Sequence, residues 1–399
     1  KIRGTIDTWY DRDISLYSTG HVCKTTSVAG STDTSYRGHA YITPKIHTLS
    51  QLMVNLAALH PHLDTTYRAK SIVVLKKIYY WLYRQIDWKN QLVADDYGRC
   101  FKGLPRVYSH LTTAFAVQGL LALKNLLPST DKDFARLNTS IETLSKSQLV
   151  ETDKWMTPLD QPPLQYSANF MATNLSTLFA LNDVNKKNEY VIRNLGHRLK
   201  SDYTWIRSSF VNYSTEISCG AELLYGGWNH NTLENAANLF GIAPTCSYFN
   251  QTDKSNVASA IRSYYLQKTS YHTIITVGLM DLLKLLKQRQ QCDLIKFGSK
   301  GTCNEILSIL KGASTWLYFM ISENGKIPSA YQSYAIDEFG YFNDASGTAI
   351  GSANLIKLLK VIKTSETSNN PAMRFTFLDR PAKHLLFSTM KDKIKLAIA

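Results

Sequence analysis

Residues 166–181 read YSANFMATNLSTLFAL, and the reading of that run decides the fold. Its front is small and polar, with Tyr166, Ser167 and Asn169. Its rear sets Leu175, Leu178, Phe179 and Leu181 three and four apart, the period of a helix face and not of a strand. The pattern returns as HTLSQLMVNLAAL from 47, YSHLTTAFAVQGLLAL from 108, NHNTLENAANLF from 229, SYHTIITVGLMDLLKLL from 270 and ASGTAIGSANLIKLLK from 345. Most of these starts lie roughly 40 to 75 residues apart, a spacing that points to repeated helix pairs. Between them run more conventionally amphipathic stretches, such as the basic IVVLKKIYYWLYRQI at 72–86.

Working outward, periodicity predicts helices near 45–60, 65–86, 106–127, 133–147, 167–182, 187–200, 229–240, 254–267, 270–288, 304–321, 347–363 and 380–397, with no block of strands. Apolar, small-residue helices alternating with amphipathic ones read as inner and outer layers. The expected fold is all-α, an (α/α) toroid of about six inner/outer helix pairs, in preference to an open HEAT-like solenoid. Residues 45–399 form a single toroid domain on this reading. Residues 1–44, rich in Thr, Ser, Gly and Asp, read as a loop-rich N-terminal extension or cover.

A hydrophobic fraction of 44% over 399 residues is enough for a substantial core. The greasiest run, LTTAFAVQGLLALKNLL at 111–127, is broken by Gln118, Lys124 and Asn125, so no membrane span is expected. Six cysteines, at 23, 100, 219, 246, 292 and 303, include no CxxC pair and no zinc spacing. Cys292 and Cys303 bracket the turn-rich DLIKFGSKGT, which suits a disulfide and a secreted or periplasmic location. The formal charge is +14, spread along the chain, which favours an anionic polymer as partner.

In a ring, the inner-helix starts and the loops before them converge on one mouth. Tyr108, His110, Tyr166, Trp228, Tyr271, His272 and Asp344 then line a cavity as substrate-binding candidates. Tyr and Trp rings stack on sugars, while Asn and His hold hydroxyls or carboxylates. Within ELLYGGWNH, residues 222–230, Gly226 and Gly227 allow a sharp turn or a close backbone approach. Asn229 and His230 follow, with helix capping and turn filling as their simpler roles. A second polar region, SENGKIPSAYQSYAIDEFGYFNDASG at 322–347, contributes Tyr331, Tyr334 and Asp337. Asp95, Asp96, Glu216, Glu222 and Glu338 are further carboxylates.

A glycoside hydrolase needs two carboxylates flanking the scissile bond. A polysaccharide lyase instead neutralises a uronate carboxylate, removes the C5 proton and protonates the leaving oxygen. Here Asn169 or Asn229 suits the first task, His230 or a tyrosine the second, and Tyr331 or Tyr334 the third. The positive charge favours the lyase. HExxH, nucleophile-elbow, Walker A and dinucleotide motifs are absent from the sequence, and neither a cofactor nor a catalytic metal is expected. HPH at 60–62 reads as a turn.

The helical alternation, together with YSANF, GGWNHN and ENGKIPSAYQSY, resembles the (α/α)-toroid polysaccharide lyases and glycoside hydrolases over roughly residues 45–397. In the alginate and chondroitin lyase branches the resemblance implies an Asn, His, Tyr and Arg site, for which Asn169, His230 and Tyr331 or Tyr334 are of the right type. WNHN departs from the Asn-Asn-His motif of alginate lyases, and Arg207 and Arg262 are the only arginines singled out. The C-terminal β-sandwich of the larger chondroitin lyases is not expected. The expected partner is an acidic polysaccharide or oligosaccharide, bound by a monomer. A noncatalytic helical module binding nucleic acid, another polyanion or protein is the competing class.

Overall fold

Helices form where the apolar period runs, and local chemistry sets their ends. A computed structural model describes residues 2–11, 46–95, 107–108, 110–156, 168–198, 202–212, 215–216, 222–228, 267, 269–294, 296–297, 300–321, 327, 354–355, 357–358 and 360–361. These residues are mostly helical. In chain order the helices are α1 (Ile2–Asp11), α2 (Ile46–Leu59), α3 (Thr65–Gln85), α4 (His110–Lys124), α5 (Phe134–Met156), α6 (Ala168–Val184), α7 (Glu189–Arg198), α8 (Thr204–Ser208), α9 (Thr269–Gln288) and α10 (Thr302–Met320). Asn354, Leu355, Lys357, Leu358, Lys360 and Val361 are also helical, within the segment expected at 347–363. The segments expected at 229–240 and 380–397 lie outside the described residues, as does all of that expected at 254–267 except Gln267, which is not helical.

The chain divides into two compact units, each taken by itself. The first comprises Lys1–Asp160, Ser176–Arg193 and Phe339–Tyr341; the second comprises Gln161–Leu175, Asn194–Glu338 and Phe342–Ala399.

Burial separates two kinds of helix. In α2, α4, α6 and α9 buried residues run consecutively around the axis, as in Ala114–Val117, Leu178–Leu181 and Ile274–Val277. The others bury a stripe: α3 hides Val74, Leu75, Ile78, Tyr79, Trp81 and Leu82 while Val73 stays 39% exposed. In α7, Val191 and Leu195 are buried beside an exposed Ile192. From α2 to α7 all-round and one-sided helices thus alternate, as the YSANF-type runs and the stretches between them imply.

In the first unit α2 packs on α4, where Gly119 lets the α4 backbone lie against Ser50. Asp64 caps α3 by accepting from the Tyr67 amide (3.0 Å). The preceding HPH forms a 3₁₀ turn, with His60 Nδ1 2.9 Å from Ser71 Oγ. Helices α3 and α5 are joined through Asp133, which is buried just before α5. It accepts from Tyr80 (2.6 Å) and Arg136 (2.8 Å) and pairs with Lys76 (3.2 Å). Burial works to raise its carboxyl pKa, but the hydrogen bonds from Tyr80 and Lys76 hold it below the ordinary carboxylate value.

Three antiparallel strands, β1 (Ile86–Asp87), β2 (Leu92–Asp95) and β3 (Val107–Tyr108), interrupt the helices. Thr113 in α4 anchors this ribbon by accepting from the Val93 amide (3.1 Å). The ribbon also explains why α4 starts at His110 rather than near 106: Tyr108 is paired with Ala94 in β3.

A second difference lies at the N-terminus. The first part of the loop-rich region is helix α1, packed on α3. Ile6 is fully buried, Tyr67 donates to Asp7 (2.8 Å), and Lys70 pairs with the same carboxylate (2.5 Å). A ten-residue helix is marginal alone. Its partner lies some 60 residues downstream, beyond the reach of local periodicity.

In the second unit α9 and α10 pack together, joined through a short ribbon of β6 (Lys296–Phe297) and β7 (Lys300–Gly301). The Cys292–Cys303 disulfide closes this connection, and the Cys303 amide donates to the Cys292 carbonyl (3.2 Å). With a sequence separation of 11, loop-closure entropy assigns the bond about 3 kcal/mol. Replacing both cysteines by serine is therefore expected to lower unfolding free energy by about that amount, read as a fall in the urea midpoint. Asn354 braces α9 through hydrogen bonds of 2.8 and 3.0 Å to Thr276. Among the described residues no helix is long and apolar enough to cross a membrane.

Candidate functional site

The YGGW turn is held from three sides in the second unit. Its two short preceding strands, β4 (Thr215–Glu216) and β5 (Glu222–Leu223), pair antiparallel, with Glu216 opposite Glu222 in register. Beyond them the chain pairs with residues following α8. The Gly226 amide donates to the Val211 carbonyl (2.9 Å), and the Val211 amide donates to Gly227 (3.0 Å). Trp228 bridges to Phe210, and its indole N–H donates to the Ile206 carbonyl (3.0 Å).

Gln267 provides the second support. Its Oε1 accepts from the Leu224 amide (2.9 Å) and from Trp316 Nε1 (3.2 Å), while its Nε2 donates to the Leu224 carbonyl (3.0 Å). A buried amide satisfied in this way fixes the turn against α10.

The third support is contact between glycines. Gly226 has φ +86°, and a β-carbon there would lie 2.0 Å from the Gly312 carbonyl oxygen of α10. At Gly227 a β-carbon would meet Gln267 Nε2 at 2.5 Å and Trp316 Nε1 at 2.6 Å. The close approach that the Gly-Gly pair permits is thus made to α10 of the same chain.

Under the turn sits an aromatic stack. His272 lies flat on Trp316, with centroids 4.4 Å apart and planes 15° apart, and meets Trp228 edge-on at 5.2 Å. Phe210 completes the group 5.2 Å from Trp228. A small cavity beside the stack, with room for about one water, is lined by Ala168, Trp228, Gln267, Tyr271, His272, Ile275 and Trp316. Burial pushes the His272 pKa down to about 3, outweighing the help of the Gly226 and Ala313 backbone, so the ring is neutral at physiological pH.

The cavity brings together the start of α6, the start of α9 and the YGGW turn. Trp228, Tyr271 and His272, all expected at a binding mouth, line it. Trp228 and His272 are 3% exposed, so their rings face protein. Asn169 follows Ala168 on α6; it is 3% exposed and its Oδ1 has no hydrogen-bond partner. Tyr108 ends β3 and His110 opens α4, both in the first unit. Tyr166, Asn229, His230, Tyr331, Tyr334, Asp337 and Asp344 lie outside the described residues. Arg207 forms an ion pair with Glu305.

Gln267, Gly312 and Trp316 were not among the sequence candidates, because each alone reads as a helix flank or core position. The signal that could have found them is the GASTW run, a glycine followed four residues later by a large indole on one helix face. Among the described residues no group of three or more His, Cys, Asp or Glu is placed to hold a metal ion. No protein-family model, curated protein or solved structure matches this chain.

Proposed function

We propose that the chain is a polysaccharide lyase that cleaves an acidic, uronate-containing glycan by β-elimination, built as an (α/α) toroid of about six helix pairs. The observation that carries this reading is the meeting of two polar helix starts with the YGGW turn. Asn229 and His230 follow that turn directly in sequence, and Asn169 stands in the first turn of α6. The charge of +14 suits an anionic substrate, and the Cys292–Cys303 bond suits a secreted or periplasmic protein.

In this scheme the Asn169 and Asn229 amides donate hydrogen bonds to the uronate carboxylate and so stabilise charge delocalised from C5. His230 takes the C5 proton. The electron pair left behind forms the C4–C5 double bond as the C4–O bond breaks, and Tyr331 or Tyr334 protonates the departing oxygen. Asp337 is a further acid–base candidate in the same aromatic loop. No cofactor enters the scheme, and the catalytic unit is a monomer.

Incubation with alginate, hyaluronan, chondroitin, heparin and pectic polymers is expected to generate unsaturated uronate, absorbing near ~235 nm, from at least one of them. His230→Ala is expected to lower that rate at least ~100-fold with the fold intact. Unchanged turnover would remove His230 from the mechanism.

One observation favours a hydrolase instead. Glu216 and Glu222 stand directly opposite in the register of an antiparallel pair, which sets two acidic residues side by side in the fold. A retaining glycosidase holds its two carboxyl groups about 5–5.5 Å apart. New reducing ends without the ultraviolet signal, lost in Glu216→Gln or Glu222→Gln, would select this alternative. Polyanion or nucleic-acid binding without turnover would select a helical binding module.

A further inference from the structure

We infer that the Trp228–His272–Trp316 stack is an acid-released latch: a proton on His272 unseats the Tyr225–Trp228 turn from α10. The geometry has the parts such a device needs. His272 is pressed flat on Trp316 and carries Trp228 on its edge, so the ring is the spacer between helix and turn. Both ring nitrogens are buried, with the Gly226 and Ala313 backbone as their polar neighbours and no side-chain partner among the described residues, and the cavity alongside holds about one water. An imidazolium there would bring a full charge and two N–H donors into a site built for a neutral ring.

Among the described residues lining the cavity there is no counter-charge. From α9 the ring's neighbours on the cavity wall are Tyr271 and Ile275, and from α6 Ala168. From α10 come Trp316 and the Ala313 backbone, from the turn Trp228 and the Gly226 backbone, and beside them the Gln267 amide. Among the described residues of the wall Tyr271 is the only other titratable group, and it is neutral in acid. Among the described residues no carboxylate lines the cavity.

The direction of the pH effect follows. His272 titrates at about 3 when buried, against an ordinary value of 6.5. The closed state is therefore fully favoured above pH 6.5 and loses ground as the pH falls towards 3, by up to about tenfold per pH unit. The turn is where the strain can be relieved. Its ties are a few hydrogen bonds to Val211, Ile206 and Gln267, whereas α9 and α10 are joined covalently through Cys292–Cys303. Asn229 and His230 follow the turn, so on the lyase reading its release also switches off catalysis in acid.

Hydrogen–deuterium exchange tests the latch without reference to activity. Peptides covering 222–228 are followed between pH 6.5 and pH 5, corrected for intrinsic exchange, with the α10 peptide reporting opening of the second unit as a whole. In the wild type, protection of the turn is expected to fall about tenfold or more while α10 is unchanged. In His272→Phe, which keeps a ring that cannot titrate, the fall is expected to be less than about threefold. His272→Gln provides the same comparison if the phenylalanine variant does not fold. An equal fall in these variants, no fall in the wild type, or a parallel fall in α10 would each overturn the latch. Where a glycan is cleaved, the acid limb of kcat/KM moves to lower pH in the variant. Absence of cleavage counts against the lyase alone, since the exchange result does not depend on it.

Discussion

Gly226→Ala is expected to destabilise the second unit by about 2–5 kcal/mol, through two separable causes. One is conformational: at φ +86° an L side chain crowds its own backbone, at a cost of about 1–2 kcal/mol. The other is steric. The new β-carbon would lie 2.0 Å from the Gly312 carbonyl oxygen, 2.7 Å from its carbon and 3.1 Å from Trp316 Cβ. Two of these atoms belong to helix backbone and have no rotamer by which to move. The turn must lift from α10, breaking the Gln267 bonds to Leu224 and exposing Trp228. Urea unfolding measures the loss, and acrylamide quenching of tryptophan fluorescence shows the lift. Gly226→Asn separates the causes, because asparagine tolerates a left-handed backbone but has the same β-carbon. Recovery of no more than about 1 kcal/mol relative to alanine identifies the steric contact as dominant; full recovery would refute it.

Gly278→Val is expected to cost at least about 3 kcal/mol, although the site is an ordinary helix interior. A β-carbon there would stand 2.3 Å from the Ala172 carbonyl oxygen and 2.7 Å from Ala172 Cβ. Helix propensity alone favours replacing this glycine by up to about 1 kcal/mol, so the sign of the result decides whether packing wins. Gly196→Ala in α7 is the control, since nothing lies within 4 Å of its added carbon; it should stabilise by about 0.5–1 kcal/mol. Ala172→Gly in the Gly278→Val background should restore only part of the loss. It removes one crowded methyl group but leaves the nearer carbonyl in place.

These two glycines mark what the sequence could and could not tell. The helix containing Gly278 was legible to within a residue, expected at 270–288 and found at Thr269–Gln288, because its apolar period extends over five turns. The alternation of all-round and one-sided helices was legible for the same reason. Helix α1 was not, since ten residues carry little periodic signal and its stability comes from α3. The Gly226-Gly227 pair announced a close approach, but its partner, Gly312, lies 86 residues on and bears no mark of its role. For the candidate site, the sequence set Trp228, Tyr271 and His272 at the starts of helical runs, and the structure places all three on one small buried cavity. Residue type could not foretell which way Trp228 faces, because burial depends on Phe210, Gln267 and Trp316. Ring closure depends on long-range packing that local periodicity does not encode.

The disulfide between α9 and α10 also bears on how the chain can be cut. The ten residues between Cys292 and Cys303 include Lys296 and Lys300, on the facing strands of the short ribbon. Cleavage after either lysine by a trypsin-like protease would leave two fragments still tied by the sulfur bridge. The nicked protein would run as one species until reduced, keeping the helix that bears His272 joined to the helix it stacks against.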